Sequence, residues 1–126
     1  MSLDITPIVN DDRLMISSYG DGRFTVNGKT VTGSILLYEN KVEPWEITKA
    51  KDITLESIQP LLDVADEYDI LVIGIGELSK MPPKDLREAV KGKGLVLEWM
   101  NSGAAARTFT VLQTEDRRTL AAIIAV

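Results

Sequence analysis

The chain of 126 residues contains no histidine and no cysteine. Without cysteine it forms no disulfide and no thiolate metal site, and thiol catalysis or redox switching is excluded. Without histidine it lacks the side chain that most often transfers protons near neutral pH. The two absences exclude histidine-dependent, cysteine-dependent and thiolate-zinc enzymes, and we expect no catalytic residue, metal or cofactor.

Basic charge and long apolar runs are also scarce. Fourteen Lys and Arg face 19 Asp and Glu, and the net charge of −5 opposes a phosphate backbone, so we expect no nucleic-acid partner. No apolar run approaches the roughly 18–20 residues that span a bilayer, so we expect no transmembrane segment. Asp4 stands where a signal peptide carries basic residues, which favours a cytoplasmic location.

The composition that remains is that of one globular domain. Of the residues, 44% are hydrophobic and 26% are charged. A chain of this length is too short to bury two separate cores. We therefore expect a single domain over 1–126, with residues 1–12 as a poorly ordered lead-in, because they contain turn formers and little periodicity.

The first half has the pattern of antiparallel strands. Strand-forming segments at 14–19, 24–26, 30–32 and 34–38 are separated by turn residues. Asn27-Gly28 is a strong hairpin signal, because both positions of the tight turn require a positive φ. Pro44 restricts the segment 42–47 to the edge of a sheet, since proline cannot donate to a central ladder.

The second half alternates helices with apolar strands. The pattern predicts helices at about 58–67, from Pro82-Pro83 to Lys91, and from a cap at Asn101 or Ser102 to about Gln113. Strands at 69–75, 95–99 and 118–126 should be parallel neighbours, because helices connect them. The sequence therefore predicts an α/β fold with a mixed sheet, or two packed sheets, and helices over the parallel part.

Gly74-Ile75-Gly76 follows the apolar run of the first parallel strand. A strand that ends in G-x-G before a helix is typical of dinucleotide sites, and Glu98 lies near where a ribose-binding acid is expected. However, residues 80–83 separate the glycines from the next helix. The glycines therefore have three readings: a tight exit from a buried strand, a nest for an anion or small ligand, or a dinucleotide site.

Four basic residues recur at i, i+4, i+7 and i+11 after these glycines. We call them the basic stripe: Lys80, Lys84, Arg87 and Lys91. Such a stripe is either a solvated helix face or a docking surface for an acidic partner.

Small residues dominate the start of the last helix, where Gly103 and three alanines allow a close approach of the backbone. Arg107 follows one turn later, and we expect it beside Glu98 or Glu115 at the carboxyl edge of the sheet. It is either a packed, paired arginine or the wall of a pocket at this edge. The candidate ligand- or anion-binding residues are Gly74, Gly76, Glu98, Arg107 and Arg117.

Several of these short motifs occur in the same order in one known family. They are Tyr19-Gly20-Asp21-Gly22, Asn27-Gly28, Gly33-Ser34, Pro44-Trp45, Gly74-Ile75-Gly76-Glu77, Pro82-Pro83 and Gly103-Ala104-Ala105-Ala106-Arg107-Thr108-Phe109. The chain from Arg13 onward resembles a domain family of unassigned biochemical function, which includes a mitochondrial assembly factor for respiratory complex I and an adipogenesis-associated protein. The chain departs from the family pattern at Ala106, where a cysteine is frequent.

The resemblance implies a three-layer domain: an N-terminal antiparallel β meander and a mixed sheet covered by helices, with no established catalytic residue. It favours a non-enzymatic accessory or interaction protein with a protein partner, similar to complex I assembly factors. The alternative is a small-ligand or nucleotide-handling enzyme that uses the Gly74–Gly76 loop and Arg107. A structural domain with a partner unrelated to respiration is the third hypothesis.

Overall fold

The computed structural model describes residues 13–126, so the predicted lead-in lies outside the described residues. Within them the chain forms eight strands and three α-helices: β1 (Ile16–Gly20), β2 (Arg23–Val26), β3 (Lys29–Thr32), β4 (Ile35–Tyr38), β5 (Lys41–Pro44), α1 (Gln59–Leu62), β6 (Ile70–Gly74), α2 (Lys84–Gly92), β7 (Val96–Met100), α3 (Ser102–Thr114) and β8 (Thr119–Ile123).

A five-stranded mixed sheet, in the order β5-β4-β8-β6-β7, forms the middle of the molecule. Strand β6 pairs in parallel with both β7 and β8, which confirms the prediction for these three strands. All five residues of β6 and of β8 are buried, as expected of strands covered on both faces. Strand β5 carries Pro44 at the edge of the sheet, as its proline requires.

A second sheet of three antiparallel strands, β1-β2-β3, is the predicted meander. Its second hairpin turns at Asn27 and Gly28, whose φ angles are 49° and 82°. The Asn27 side chain also accepts a hydrogen bond from the Met15 N–H and donates one to the Arg13 carbonyl. The predicted hairpin is therefore present, and its asparagine also fixes the chain that precedes β1.

Apolar side chains are buried on both faces of the central sheet, in two clusters that share its strands. On one face, α1, α2 and the segment after β5 cover residues such as Leu71, Ile73 and Leu120. On the other face, the meander and α3 cover Val72 and Ile123, with Phe24 and Phe109 almost fully buried. The molecule therefore has three layers, as the family resemblance implied.

The predicted regular helix over residues 58–67 is wrong. The four-residue α1 stands between 3₁₀ turns at Glu56–Ile58 and Ala65–Glu67. The apolar stripe is buried as expected, but the Val64 N–H bonds to the Leu61 carbonyl and tightens the chain into a 3₁₀ turn. The indole N–H of Trp45, the residue after β5, also donates to the Ser57 carbonyl and anchors the 3₁₀ turn that precedes α1.

The two longer helices agree with the sequence. Helix α2 begins directly after Pro83, and α3 begins after Asn101, whose side chain accepts a hydrogen bond from the Ala104 N–H at 2.9 Å. That bond satisfies one of the N–H groups that the first turn of a helix leaves without a partner. Within residues 13–126 every helix is too short or too polar to cross a membrane.

Candidate functional site

The carboxyl ends of β6 and β8 meet at one edge of the central sheet, the edge where α/β sheets most often bind ligands. The chain leaves β6 through Ile75 and turns at Gly76, which has a φ of +86°. The Gly76 N–H donates to Ser102 Oγ at 2.9 Å, and the Ser102 N–H donates to the Gly76 carbonyl at 2.8 Å. This reciprocal pair ties the glycine turn to the first residue of α3.

Gly74 lies where α3 crosses the sheet. A Cβ at this position would stand 2.8 Å from Ile123 Cγ2, 2.9 Å from Ala105 Cβ and 3.0 Å from Ser102 Cα. Those distances are shorter than ordinary carbon contacts, so only glycine allows this helix-to-sheet spacing. The geometry at Gly74 is that of a tight packing contact.

A phosphate nest requires backbone N–H groups that point at the anion. The N–H of Gly76 is already used by Ser102, and the Ile75 N–H donates to the Met100 carbonyl. Helix α2, which would supply the dipole of a dinucleotide site, begins only at Lys84. The local geometry therefore supports the reading of the glycines as a tight exit from a buried strand.

Arg107 projects from the second turn of α3 toward the meander. Its guanidinium donates to the Tyr19 hydroxyl at 2.7 Å, and the predicted pairing with Glu98 or Glu115 is wrong. The ion pairs among residues 13–126 involve other side chains. Gly103 permits the contact, because a Cβ there would lie 2.6 Å from the Tyr19 hydroxyl.

The five candidate ligand residues do not share one site. Tyr19, the partner of Arg107, lines a cavity of about 280 Å³ together with Gly76. Glu98 lies inside β7 opposite Val72, before the end of the strand. Arg117 precedes β8 and lines a separate cavity of about 290 Å³ beside Tyr68 and Gln113, at the amino ends of the strands.

An ion pair holds that amino edge together. Arg118 binds the Asp69 carboxylate through two hydrogen bonds, of 2.8 and 3.1 Å. The guanidinium lowers the pKa of Asp69, first through these hydrogen bonds and then through its charge. Both side chains are at least half exposed, so this is a surface ion pair, and it links the residue before β6 to the residue before β8.

A cleft of about 400 Å³ at the carboxyl edge was not found from the sequence. We call it the carboxyl-edge cleft; its lining includes Ile75, Leu78, Ile124 and Ala125, the acid Glu77, and three lysines, Lys49, Lys51 and Lys80. Lys49 and Lys51 reach it because the chain after β5 forms a 3₁₀ turn at Ala50–Asp52. A pocket was expected at the carboxyl ends of the parallel strands, but no sequence pattern places these two lysines there.

The basic stripe is partly as predicted. Lys84, Arg87 and Lys91 lie exposed on α2, and Leu86 and Val90 form its buried side. Lys80 lies outside the helix, in the loop that precedes it, because the helix begins only after the two prolines. No residue of the stripe is in an ion pair with an acid of the described chain.

The described residues contain no group of three or more acids placed to hold a metal ion. The carboxyl edge instead presents lysines beside apolar side chains. Such a surface can bind a segment that carries both acidic and apolar side chains. Its lysines attract the acids, and its apolar side chains contact the apolar ones.

Curated relatives and solved structures share this architecture. The NADH dehydrogenase [ubiquinone] 1 alpha subcomplex assembly factor 3 of Xenopus tropicalis is 29% identical over 111 residues. The match covers 88% of this chain and 61% of that protein, so the chain spans about six tenths of the relative's length. An uncharacterized protein of Rhodobacter capsulatus is 30% identical over 88% of this chain and 84% of its own.

Among solved structures, an outer membrane protein from Bartonella henselae is 33% identical, with a TM-score of 0.84 over 90% of this chain and 96% of that chain. A Mth938-like domain protein of Bordetella pertussis is 23% identical, with a TM-score of 0.81 over 98% and 92%. The second likeness shows the fold alone. The family model described as "Protein of unknown function (DUF498/DUF598)" matches residues 16–124, and the chain belongs to this family.

Proposed function

We propose that this chain is a non-enzymatic accessory protein that binds a protein partner during assembly of a respiratory NADH dehydrogenase. Relatives named as assembly factors for that enzyme support the proposal, since they match 88% of this chain. The absence of histidine and cysteine agrees with a binding role, because most acid–base and nucleophilic enzymes recruit one or the other.

The observation that carries the proposal is the loop of residues 77–83 between β6 and α2. Leu78 and Met81 are the two most exposed of the large hydrophobic side chains in the described chain, at 64% and 74%. The Trp99 indole N–H donates to the Lys80 carbonyl and anchors the loop to β7. Exposed apolar side chains on an anchored loop are typical of a docking surface, because their burial drives association.

Charge sets the partner's chemistry. The basic stripe places Lys80 in this loop and Lys84 and Arg87 on the helix that follows. The exposed cations of the stripe attract the acidic groups of a partner, and the exposed acids Asp85 and Glu88 on the same helix reduce that attraction. The docking surface is therefore the loop of residues 77–83 together with the basic stripe.

The alternative, a nucleotide-handling enzyme at the Gly74–Gly76 loop and Arg107, has less support. The Gly76 N–H is hydrogen-bonded to Ser102, and the Arg107 guanidinium is hydrogen-bonded to Tyr19. A phosphate would have to break the first bond to gain the Gly76 N–H, and the second bond takes up one of the five N–H donors of Arg107.

The test is complementation of a deletion strain of the source cell. We expect assembled NADH dehydrogenase, measured on native gels, to fall on deletion and to return with the wild-type gene. The double reversal Lys84→Glu with Arg87→Glu should fail to restore it. The control, Arg23→Glu with Lys29→Glu, changes one Arg and one Lys on the meander, across the central sheet from α2, and should restore it.

Two results contradict the proposal. The first is full assembly of the dehydrogenase in the deletion strain. The second is equal restoration by the two double variants when both accumulate to the wild-type level, since the docking surface would then have no role.

A further inference from the structure

We infer that the carboxyl-edge cleft binds an acidic segment of the protein partner and takes one of its apolar side chains. This inference deepens the proposed function, because it names the chemistry of the partner segment and where it binds. The occupant is a peptide that carries a carboxylate on each side of an aliphatic or aromatic residue.

The floor of the cleft is apolar. Ile75 and Ile124 are each 2% exposed, so their side chains are fixed by the core behind them. Ala125 completes the floor, and Leu78 stands at the rim with 64% of its surface exposed. An incoming apolar side chain would cover Leu78, and removal of that exposed apolar surface from water favours binding.

The rim is cationic. Lys49, Lys51 and Lys80 line the cleft beside one acidic side chain, Glu77. The ion pairs of the described chain involve other residues, so no acid of the described chain is paired with these three lysines. Three ammonium groups around an apolar floor select an acidic segment, because a neutral one gains less and a basic one is repelled.

The cleft is continuous with the docking surface. Leu78 belongs both to the cleft and to the exposed loop, and Lys80 belongs both to the cleft and to the basic stripe. A partner that covers the loop and α2 can therefore extend into the cleft along one continuous surface. This continuity favours a segment of the same partner over an unrelated small molecule as the occupant.

The test is a titration of the ¹⁵N-labelled full chain with the blocked peptide acetyl-Glu-Leu-Asp-Leu-Glu-amide. We expect amide shifts at Lys49, Lys51, Gly76 and Ala125, and binding that weakens when NaCl is raised from ~0.05 to ~0.5 M, because salt screens exposed charges. A peptide with Gln and Asn in place of the acids, and one with Ser in place of Leu, should both bind at least about fivefold more weakly.

Protein variants locate the site. Lys49→Glu with Lys51→Glu should weaken binding at least about fivefold, since two attractions become repulsions. Leu78→Ser should weaken it less, and it should fold normally, because Leu78 is largely exposed. Arg23→Glu with Lys29→Glu, matched in net charge, should leave the affinity unchanged.

The inference is overturned if shifts map away from the cleft, if the serine peptide binds as tightly as the leucine peptide, or if the Lys49 and Lys51 reversal binds like wild type. An absence of shifts at millimolar peptide overturns it as well. The titration uses purified protein, so a negative result leaves the docking surface and the complementation test standing. Conversely, a complementation result that contradicts the proposed function leaves a positive titration intact.

Discussion

Replacing Gly74 with alanine places a methyl group between β8 and the start of α3. The nearest neighbours are Ile123 Cγ2 at 2.8 Å, Ala105 Cβ at 2.9 Å and the backbone Cα of Ser102 at 3.0 Å. These are two buried side chains and one backbone atom, so relief requires α3 to move off the sheet. Overpacking of this kind costs about 1–3 kcal/mol, and the lower entropy of the unfolded chain with alanine offsets about 0.4–1 kcal/mol. We expect Gly74→Ala to lower the free energy of unfolding by about 1–2 kcal/mol.

Gly103→Ala is the matched control, because it adds the same methyl group on α3. The new Cβ would meet the Tyr19 hydroxyl at 2.6 Å, and Tyr19 is 41% exposed. Tyr19 can rotate into solvent, at the loss of its hydrogen bond from Arg107. That loss of about 0.5–1.5 kcal/mol is offset by about 0.4–1 kcal/mol from the removal of glycine. The net change should therefore be close to zero.

Urea unfolding followed by far-ultraviolet circular dichroism measures both variants. Gly74→Ala should shift the midpoint to lower urea with an unchanged slope, and Gly103→Ala should leave the midpoint near wild type. If Gly74→Ala unfolds within about 0.5 kcal/mol of wild type, the packing argument for this glycine is wrong, and a ligand role for Gly74 regains support.

Three further predictions concern the cap, the ion pair and nucleotide binding. Asn101→Ala should cost about 1 kcal/mol in urea unfolding, and Asn101→Ser should restore most of it, because serine also caps the Ala104 N–H. Arg118 lowers the pKa of Asp69 in the folded protein. The stability that the Asp69 carboxylate contributes is therefore complete above the pKa of an unfolded aspartate, about 3.9, and is lost as pH falls through the lower pKa of the folded protein. Asp69→Asn should therefore be less stable than wild type at neutral pH and equal to it in strong acid; a deficit independent of pH would contradict this. ATP or NAD at millimolar concentration should leave the melting temperature unchanged, whereas a ligand at ~100 times its Kd would add about 2.7 kcal/mol of stability.

The parallel part of the fold was predictable because its signals are local. The apolar, β-branched run of β6 fits a strand buried on both faces, and the helices before and after it fix the direction of its neighbours. Asn27-Gly28 and the Asn101 cap act within a few residues of themselves. The hairpin turn and the helix cap therefore lie within a few residues of the motifs that favour them.

The parts that were missed depend on contacts between distant residues. Arg107 donates to Tyr19, which lies 88 positions earlier in the chain. A carboxylate partner was predicted because arginine commonly pairs with carboxylates. The segment 58–67 has a helical apolar stripe, yet 3₁₀ turns before and after α1 limit the helix to four residues, and the Trp45 indole is bonded to the first of these turns at Ser57. A 3₁₀ turn at Ala50–Asp52 places Lys49 and Lys51 at the carboxyl-edge cleft, and no sequence motif near them predicts that turn.

Capture of partners by the tagged chain, quantified by mass spectrometry, tests the central claim that the loop of residues 77–83 and the basic stripe bind a protein. Wild type and the control Arg23→Glu with Lys29→Glu should recover the same partner, and Lys84→Glu with Arg87→Glu should lose most of it at low salt. Both variants should melt like wild type, because all four positions are exposed. Recovery of the same partner in the same amount by both double variants would contradict the account.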